Sequence, residues 1–177
     1  MIDQNYLNWY FANIWKGTTD EYIYTGWALV DKVTDDEWVL DVGCGFNPYK
    51  GKIKNLVGID PANDLADHKV SIEDYVPDRK FDVAFCLGSI GFGKDRSVIE
   101  RQIAKIVDCL NDQSRIYWRM NPGLNDHQNK AFEDVPVYEW TFEDNRAFAD
   151  QFGYRVVDTR MDQNKRNRRL YAEWTRA

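Results

Sequence analysis

At 177 residues, with 44% hydrophobic side chains and seven tryptophans, the chain suits one domain with a layered core and is too apolar for a disordered segment. A net charge of −6 weighs against a nonspecific nucleic-acid binder, and no run approaches the roughly 20 apolar residues of a membrane span or has a signal-peptide pattern. Cys44, Cys86 and Cys109 show neither metal-type nor disulfide spacing, and the two histidines, His68 and His127, supply no evident ligand set; we expect reduced thiols, no metal and a cytoplasmic setting.

In chain order, Tyr6, Leu7, Tyr10, Phe11, Ile14 and Trp15 recur three and four residues apart, which predicts an amphipathic helix over residues 2–16. Gly17 ends it. Thr18 or Thr19 can cap a second helix carrying Tyr22, Ile23, Trp27 and Val30 and running to about Val33. Both stripes also read as plain core packing.

Val39, Leu40 and Val42 form a short apolar run that stops at Gly43 and Gly45, the pattern of a strand buried on both faces. A second run, Leu56 to Ile59, ends in Asp60. Two parallel strands with a glycine turn after the first and an acid after the second make a nucleoside site, the acid accepting the ribose hydroxyls. The dinucleotide fingerprint requires a third glycine and free N–H groups for a pyrophosphate. Here Gly43-Cys44-Gly45-Phe46-Asn47-Pro48 has no third glycine, Pro48 removes an N–H, and Asp60 comes 15 residues after Gly45. The turn suits a ribose and adenine without phosphate.

Asp41-Val-Gly43-Cys44-Gly45 followed by Val57-Gly-Ile-Asp60 resembles the first two motifs of class I, Rossmann-like, S-adenosylmethionine-dependent methyltransferases. The resemblance runs from about residue 36 to the C-terminus. It implies that the glycine turn (Asp41, Gly43, Cys44, Gly45) lies against the amino-acid part of S-adenosylmethionine. Asp60 and Pro61 would meet the ribose, and S-adenosylhomocysteine would be the product. Only eleven residues separate Gly45 from Val57, so the usual first helix is expected to be short or replaced by a loop. The leading helices, residues 1–35, would act as a lid on a core spanning 36–177, all within one domain, with Trp15 and Tyr24 as lid contacts and Lys16 toward the cofactor's carboxylate.

Further along, Val70 to Ile72 reads as a brief third strand, whose end would offer Ser71 and the Ile72 backbone, or alternatively Glu73, to the adenine. Val83 to Leu87 reads as a fourth, buried strand, followed by Gly88, Ser89, Gly91 and Gly93. Ligands of open α/β sheets sit beyond the carboxyl ends of the strands, which puts Leu87, Gly88 and Ser89 where methyl would face acceptor. Asp95 can cap a helix carrying Val98, Ile99, Ile103, Ile106, Val107 and Leu110. Arg115 to Met120 is a fifth strand, Asn121-Pro122-Gly123 a turn, and Glu139 to Phe152 a helix closed by Gly153.

Tyr154 to Met161 and Arg168 to Thr175 then alternate as a hairpin of strands six and seven. The expected fold class is α/β: a three-layer, doubly wound, mostly parallel seven-stranded sheet with an antiparallel last strand and two N-terminal helices. Dinucleotide domains lack that final hairpin. His127 is the one candidate general base in a loop at the active end of the sheet. Arg119 can bind an anionic acceptor or pair with a neighbouring carboxylate. The acceptor is expected to be a small molecule or an exposed macromolecular group. The acidic total disfavours nucleic acid, although the basic cluster Lys165-Arg-Asn-Arg-Arg169 keeps it open. A protein that binds the cofactor without transferring methyl is the alternative.

Overall fold

The computed structural model describes residues 3–16, 21–93, 95–123, 137–164 and 167–177. A short helix, α1 (Gln4–Asn13), opens them, with Asp3 capping it by accepting the N–H groups of Asn5 and Tyr6. Six strands follow in one sheet: β1 (Val39–Val42), β2 (Leu56–Ile59), β3 (Phe81–Leu87), β4 (Leu110–Met120), β5 (Tyr154–Gln163) and β6 (Arg168–Arg176). The spatial order is β2-β1-β3-β4-β6-β5; β1 pairs in parallel with β2 and β3, β3 with β4, and only β6 runs against its neighbours. The chain leaves β1 toward β2 on one side and returns as β3 on the other. That reversal opens a crevice at the carboxyl ends of β1 and β3.

Alternation along each strand sorts side chains onto two faces. Leu40 and Val42 of β1, Trp118 of β4 and Trp174 of β6 pack with Ile99, Ile103 and Ile106 of α2 (Arg96–Asp108) and Phe148 of α3 (Phe142–Gln151). Trp118 and Trp174 rings approach to 4.7 Å, and the Trp174 indole donates to buried Asn145. The opposite face buries Val39, Val83, Phe85, Tyr117 and Tyr171 under Leu29, Tyr49 and Ile53. Asp95 caps α2, and Thr141 with Asp144 forms a reciprocal capping box on α3.

Two expectations are corrected. Among the described residues the sheet has six strands rather than seven, because Val70–Ile72 does not pair. Pairing beside β2 is a single bridge, Ile59 to His68; then the Val70 amide turns back onto the His68 carbonyl and the Asp74 amide onto that of Ser71. The second N-terminal helix is only a six-residue 3-10 helix, Trp27–Lys32. Just before it, the amides of Ile23, Tyr24 and Thr25 donate to the carboxylate of Asp162 on β5, which replaces the intrahelical bonds an α-helix would need. Among the described residues no α-helix separates β1, β2 and β3, so the two core helices cover one face while turns and the 3-10 helix cover the other.

Candidate functional site

Strand β1 delivers the chain into two left-handed glycines, Gly43 (φ +69°) and Gly45 (φ +55°). The amides of Gly43 and Cys44 both donate to the Ile59 carbonyl, at 2.8 and 3.0 Å, which holds the turn against the end of β2. Space enforces glycine as firmly as conformation does. A Cβ on Gly43 would stand 2.2 Å from the Ser89 Cβ, and one on Gly45 would stand 2.6 Å from the Trp15 ring. Asp60 locks the two turns together: Oδ2 accepts from the Gly45 amide at 3.0 Å, and Oδ1 from the amides of Ala62 and Asn63 at 2.8 and 2.9 Å.

Above these turns lies a cavity of about 590 Å³. Its floor comes from Gly43, Gly45, Asp60 and Pro61, and its middle from Leu87 at the end of β3 with Gly88 and Ser89 after it. Its far wall is formed by Arg119 near the end of β4, Asn121 just after it, and Arg169 on β6. Helix α1 roofs it with Leu7, Tyr10 and Phe11, and Trp15 and Lys16 follow that helix; the Trp15 ring stacks on Phe46, centroids 5.2 Å apart. Ser89 Oγ is buried without a hydrogen-bond partner among the described residues.

Of the residues singled out from the sequence, the cavity gathers Gly43, Gly45, Asp60, Pro61, Leu87, Gly88, Ser89 and Arg119, with Trp15 and Lys16. Others lie outside its lining. Asp41 sits beneath it, 2% exposed. Burial pushes its carboxyl up to about 7, opposed by the Arg119 charge and assisted by that of Asp60. The Cys44 thiol is buried, raised in pKa chiefly by that burial, and turned toward the Gly45 carbonyl. Ile72 packs in the main core, the Ser71 hydroxyl bonds Asp74, and the Glu73 carboxylate accepts from Gln102 of α2. Tyr24 stacks on Tyr171 instead of facing the cavity. His127 lies outside the described residues, as do Lys165 and Arg166.

Sequence reasoning missed Tyr10, Phe11, Tyr22, Phe92, Asn121 and Arg169 as lining. The aromatic ones read equally well as a core stripe. Arg169 belongs to a charge run that reads as solvated, yet it is only 7% exposed. Arg119 is held by Leu87, Thr25 and Tyr22. Nη2 donates to the Leu87 carbonyl at 3.0 Å, Nη1 approaches Thr25 Oγ1 at 3.4 Å, and the guanidinium lies 4.1 Å above the Tyr22 ring.

No protein-family model and no curated protein matches the sequence. Solved structures do match. The chain superposes on magnesium protoporphyrin IX methyltransferase from Synechocystis PCC 6803, solved with bound S-adenosylhomocysteine, at a TM-score of 0.67 and 13% identity over 99% of this chain and 95% of that one. It also matches the 1,6-didemethyltoxoflavin-N1-methyltransferase of Burkholderia thailandensis (TM-score 0.64, 14% identity, 80% of this chain and 71% of that one). A third match is the N-methyltransferase NodS of Bradyrhizobium japonicum (TM-score 0.60, 12% identity, 79% and 78%). The chain therefore has the α/β fold of the class I, Rossmann-like, S-adenosylmethionine-dependent methyltransferases, with a six-stranded, mostly parallel sheet.

Proposed function

We propose that this chain binds S-adenosylmethionine and transfers its methyl group to a small molecule, releasing S-adenosylhomocysteine. The observation that carries the reading is the wall Gly43, Gly45 and Asp60 share at the reversal of strand order. It offers close backbone approach and a carboxylate, and it lacks the third glycine that would seat a pyrophosphate. The residues suit the group: side-chain-free glycines floor the cavity, Asp60 borders it, and Ser89 brings a buried hydroxyl with no partner among the described residues. Gly43 and Gly45 would take the amino-acid part, with Lys16 toward its carboxylate, and Asp60 and Pro61 the ribose.

The sulfonium supplies a methyl group with its leaving group attached, so the transfer is a single in-line displacement. The protein's part is alignment: the Leu87–Ser89 turn borders the reacting centre, and α1 with Trp15 closes over it to exclude water. Asp60 is the one carboxylate in the described lining, and three amides already bond it. It is therefore poorly suited to take a proton from the acceptor. His127 is the candidate base for an acceptor that carries one, and an acceptor already deprotonated needs none. The same absence of a free base in the described lining favours the second reading, a protein that binds the cofactor without transferring methyl.

The net charge of −6 counts against nucleic acid as acceptor. No described helix is long and apolar enough to cross a membrane. Labelled S-adenosylmethionine incubated with fractionated metabolites, RNA and protein separates the readings. Label in the metabolite pool supports the small-molecule transferase. Tight cofactor binding with no label in any pool supports the sensor.

A further inference from the structure

The turn that borders the reacting centre is gripped at both edges of one peptide by a single side chain and its own backbone. We propose that Arg119 is a positioning residue for the Leu87–Ser89 turn, and that Thr25, which lies outside the cavity lining, sets Arg119. The role of that turn rests on the methyltransferase reading above. The carbonyl of Leu87 and the amide of Gly88 belong to one peptide unit, and in a trans peptide they point in opposite directions. Both end on Arg119. The Gly88 amide donates to the Arg119 carbonyl at 2.7 Å, and Nη2 of Arg119 donates to the Leu87 carbonyl at 3.0 Å. One residue thus satisfies both polar groups of this peptide and fixes the tilt of its plane.

That plane needs to be held. Gly88 is left-handed (φ +85°), and a Cβ added there would meet nothing within 4 Å, so side-chain packing does not fix the turn at this point. Ser89 comes next and stands so close to the glycine turn that a Cβ on Gly43 would lie 2.2 Å from its own. A rotation of the Leu87–Gly88 plane therefore carries Ser89 toward or away from Gly43, across the middle of the cavity.

Arg119 is in turn set from β5. Its guanidinium lies 4.1 Å from the centre of the Tyr22 ring, and Nη1 stands 3.4 Å from Thr25 Oγ1 and 3.5 Å from the Thr25 carbonyl oxygen. The Thr25 hydroxyl has one proton, which it gives to Oδ2 of Asp162 at 2.7 Å, so its lone pairs are left for Arg119. The path runs from Asp162 through Thr25 and Arg119 to the Leu87–Gly88 peptide. A planar guanidinium reaches Leu87 and Thr25 at once through two different nitrogens, whereas an ammonium is a single point that cannot span both.

Amide hydrogen exchange of the free protein, together with calorimetric titration of S-adenosylhomocysteine, tests this. In Arg119→Met and Arg119→Lys the Gly88 amide should exchange about tenfold faster or more, the scale of one hydrogen bond from a charged group, while the Ile103 and Ile106 amides of α2 keep their protection. Affinity for S-adenosylhomocysteine should fall about tenfold in the same variants. Thr25→Val removes a hydroxyl outside the cavity lining, and it should shift both readouts in the same direction even if an Arg119 variant fails to fold. Thr25→Ser should restore them, and Thr25→Val should add little on top of Arg119→Met. An unchanged Gly88 amide in the folded variants, full rescue by Arg119→Lys, or additive effects of Thr25→Val and Arg119→Met overturns the proposal. If S-adenosylhomocysteine does not bind the wild type, the methyltransferase reading is removed, and the Gly88 amide then decides the positioning role by itself.

Discussion

Thr25 and Asp162, 137 residues apart, are joined twice: the Thr25 amide and hydroxyl both donate to Oδ2 of Asp162, at 2.9 and 2.7 Å. With the amides of Ile23 and Tyr24 on Oδ1, one fully buried carboxylate on β5 holds the whole segment that leads into the 3-10 helix. Thr25 in turn touches Arg119, so this knot reaches the wall of the cavity. Replacing Asp162 by Ala leaves several buried donors unsatisfied, each costing about 1–3 kcal/mol. Urea unfolding of Asp162→Ala should show a loss of about 3 kcal/mol or more, an order-of-magnitude figure for a hydrogen-bonded charged group. A variant as stable as the wild type would show that the segment is held by other contacts.

Asp41 predicts a pH dependence of stability. Its carboxyl has an ordinary value of 3.8 and is raised to about 7 in the folded chain, first by burial. The folded state therefore keeps a proton that the unfolded state has lost. That contribution is fully present below about pH 4 and is lost as pH rises through about 7, at up to ~1.4 kcal/mol per pH unit. Other acids, such as Glu37 and Asp67 with lowered values, act in the opposite direction. The clean quantity is the stability difference between wild type and Asp41→Asn, measured by denaturant unfolding from pH 4 to 8. It should drift against the wild type as pH rises, and a difference independent of pH would rule out this account of Asp41.

The glycines separate crowding from conformation. Gly43 (φ +69°) would present a Cβ 2.2 Å from that of Ser89, whereas Gly51 (φ +79°) has nothing within 4 Å of an added Cβ. Gly51→Ala bears only the left-handed backbone cost, about 1–2 kcal/mol, and should leave S-adenosylhomocysteine affinity unchanged. Gly43→Ala should cost more than that and abolish cofactor binding. Thermal melts and calorimetry on the two variants check both halves, and equal behaviour would deny the Gly43–Ser89 contact its role.

Ser89 should trade stability against function. Its hydroxyl is buried without a partner among the described residues, which is unfavourable by roughly 1–3 kcal/mol when no ligand meets it. Ser89→Ala is expected to raise the melting temperature of the free protein while weakening S-adenosylhomocysteine binding or methyl transfer. A variant both less stable and equally active would mean that the hydroxyl serves the fold alone.

How far the sequence could carry these conclusions follows from the range of the forces involved. Val39–Val42, Leu56–Ile59 and the closing hairpin are set by short apolar runs and turn residues, so they could be read locally; the Gly43–Gly45 turn and Asp60 came with them. The Val70–Ile72 expectation failed because two β-branched residues flanking Ser71 need a partner strand, and after His68 the chain folds back onto itself. The second helix failed for a longer-range reason: no local pattern reveals that Asp162 will take the amides of residues 23–25. Arg169 was concealed in the same way, since the burial of a basic residue depends on which elements fold over it.

The central claim is that an adenosine-bearing sulfonium compound without phosphates seats on Gly43, Gly45 and Asp60, and calorimetric titration of S-adenosylhomocysteine tests it most directly. The wild type should bind one equivalent saturably and ignore NAD, and Asp60→Asn should bind more weakly by about 1.5–3 kcal/mol, the worth of hydrogen bonds to a charged carboxylate. No heat of binding with S-adenosylhomocysteine, a preference for NAD, or undiminished affinity in Asp60→Asn would contradict it.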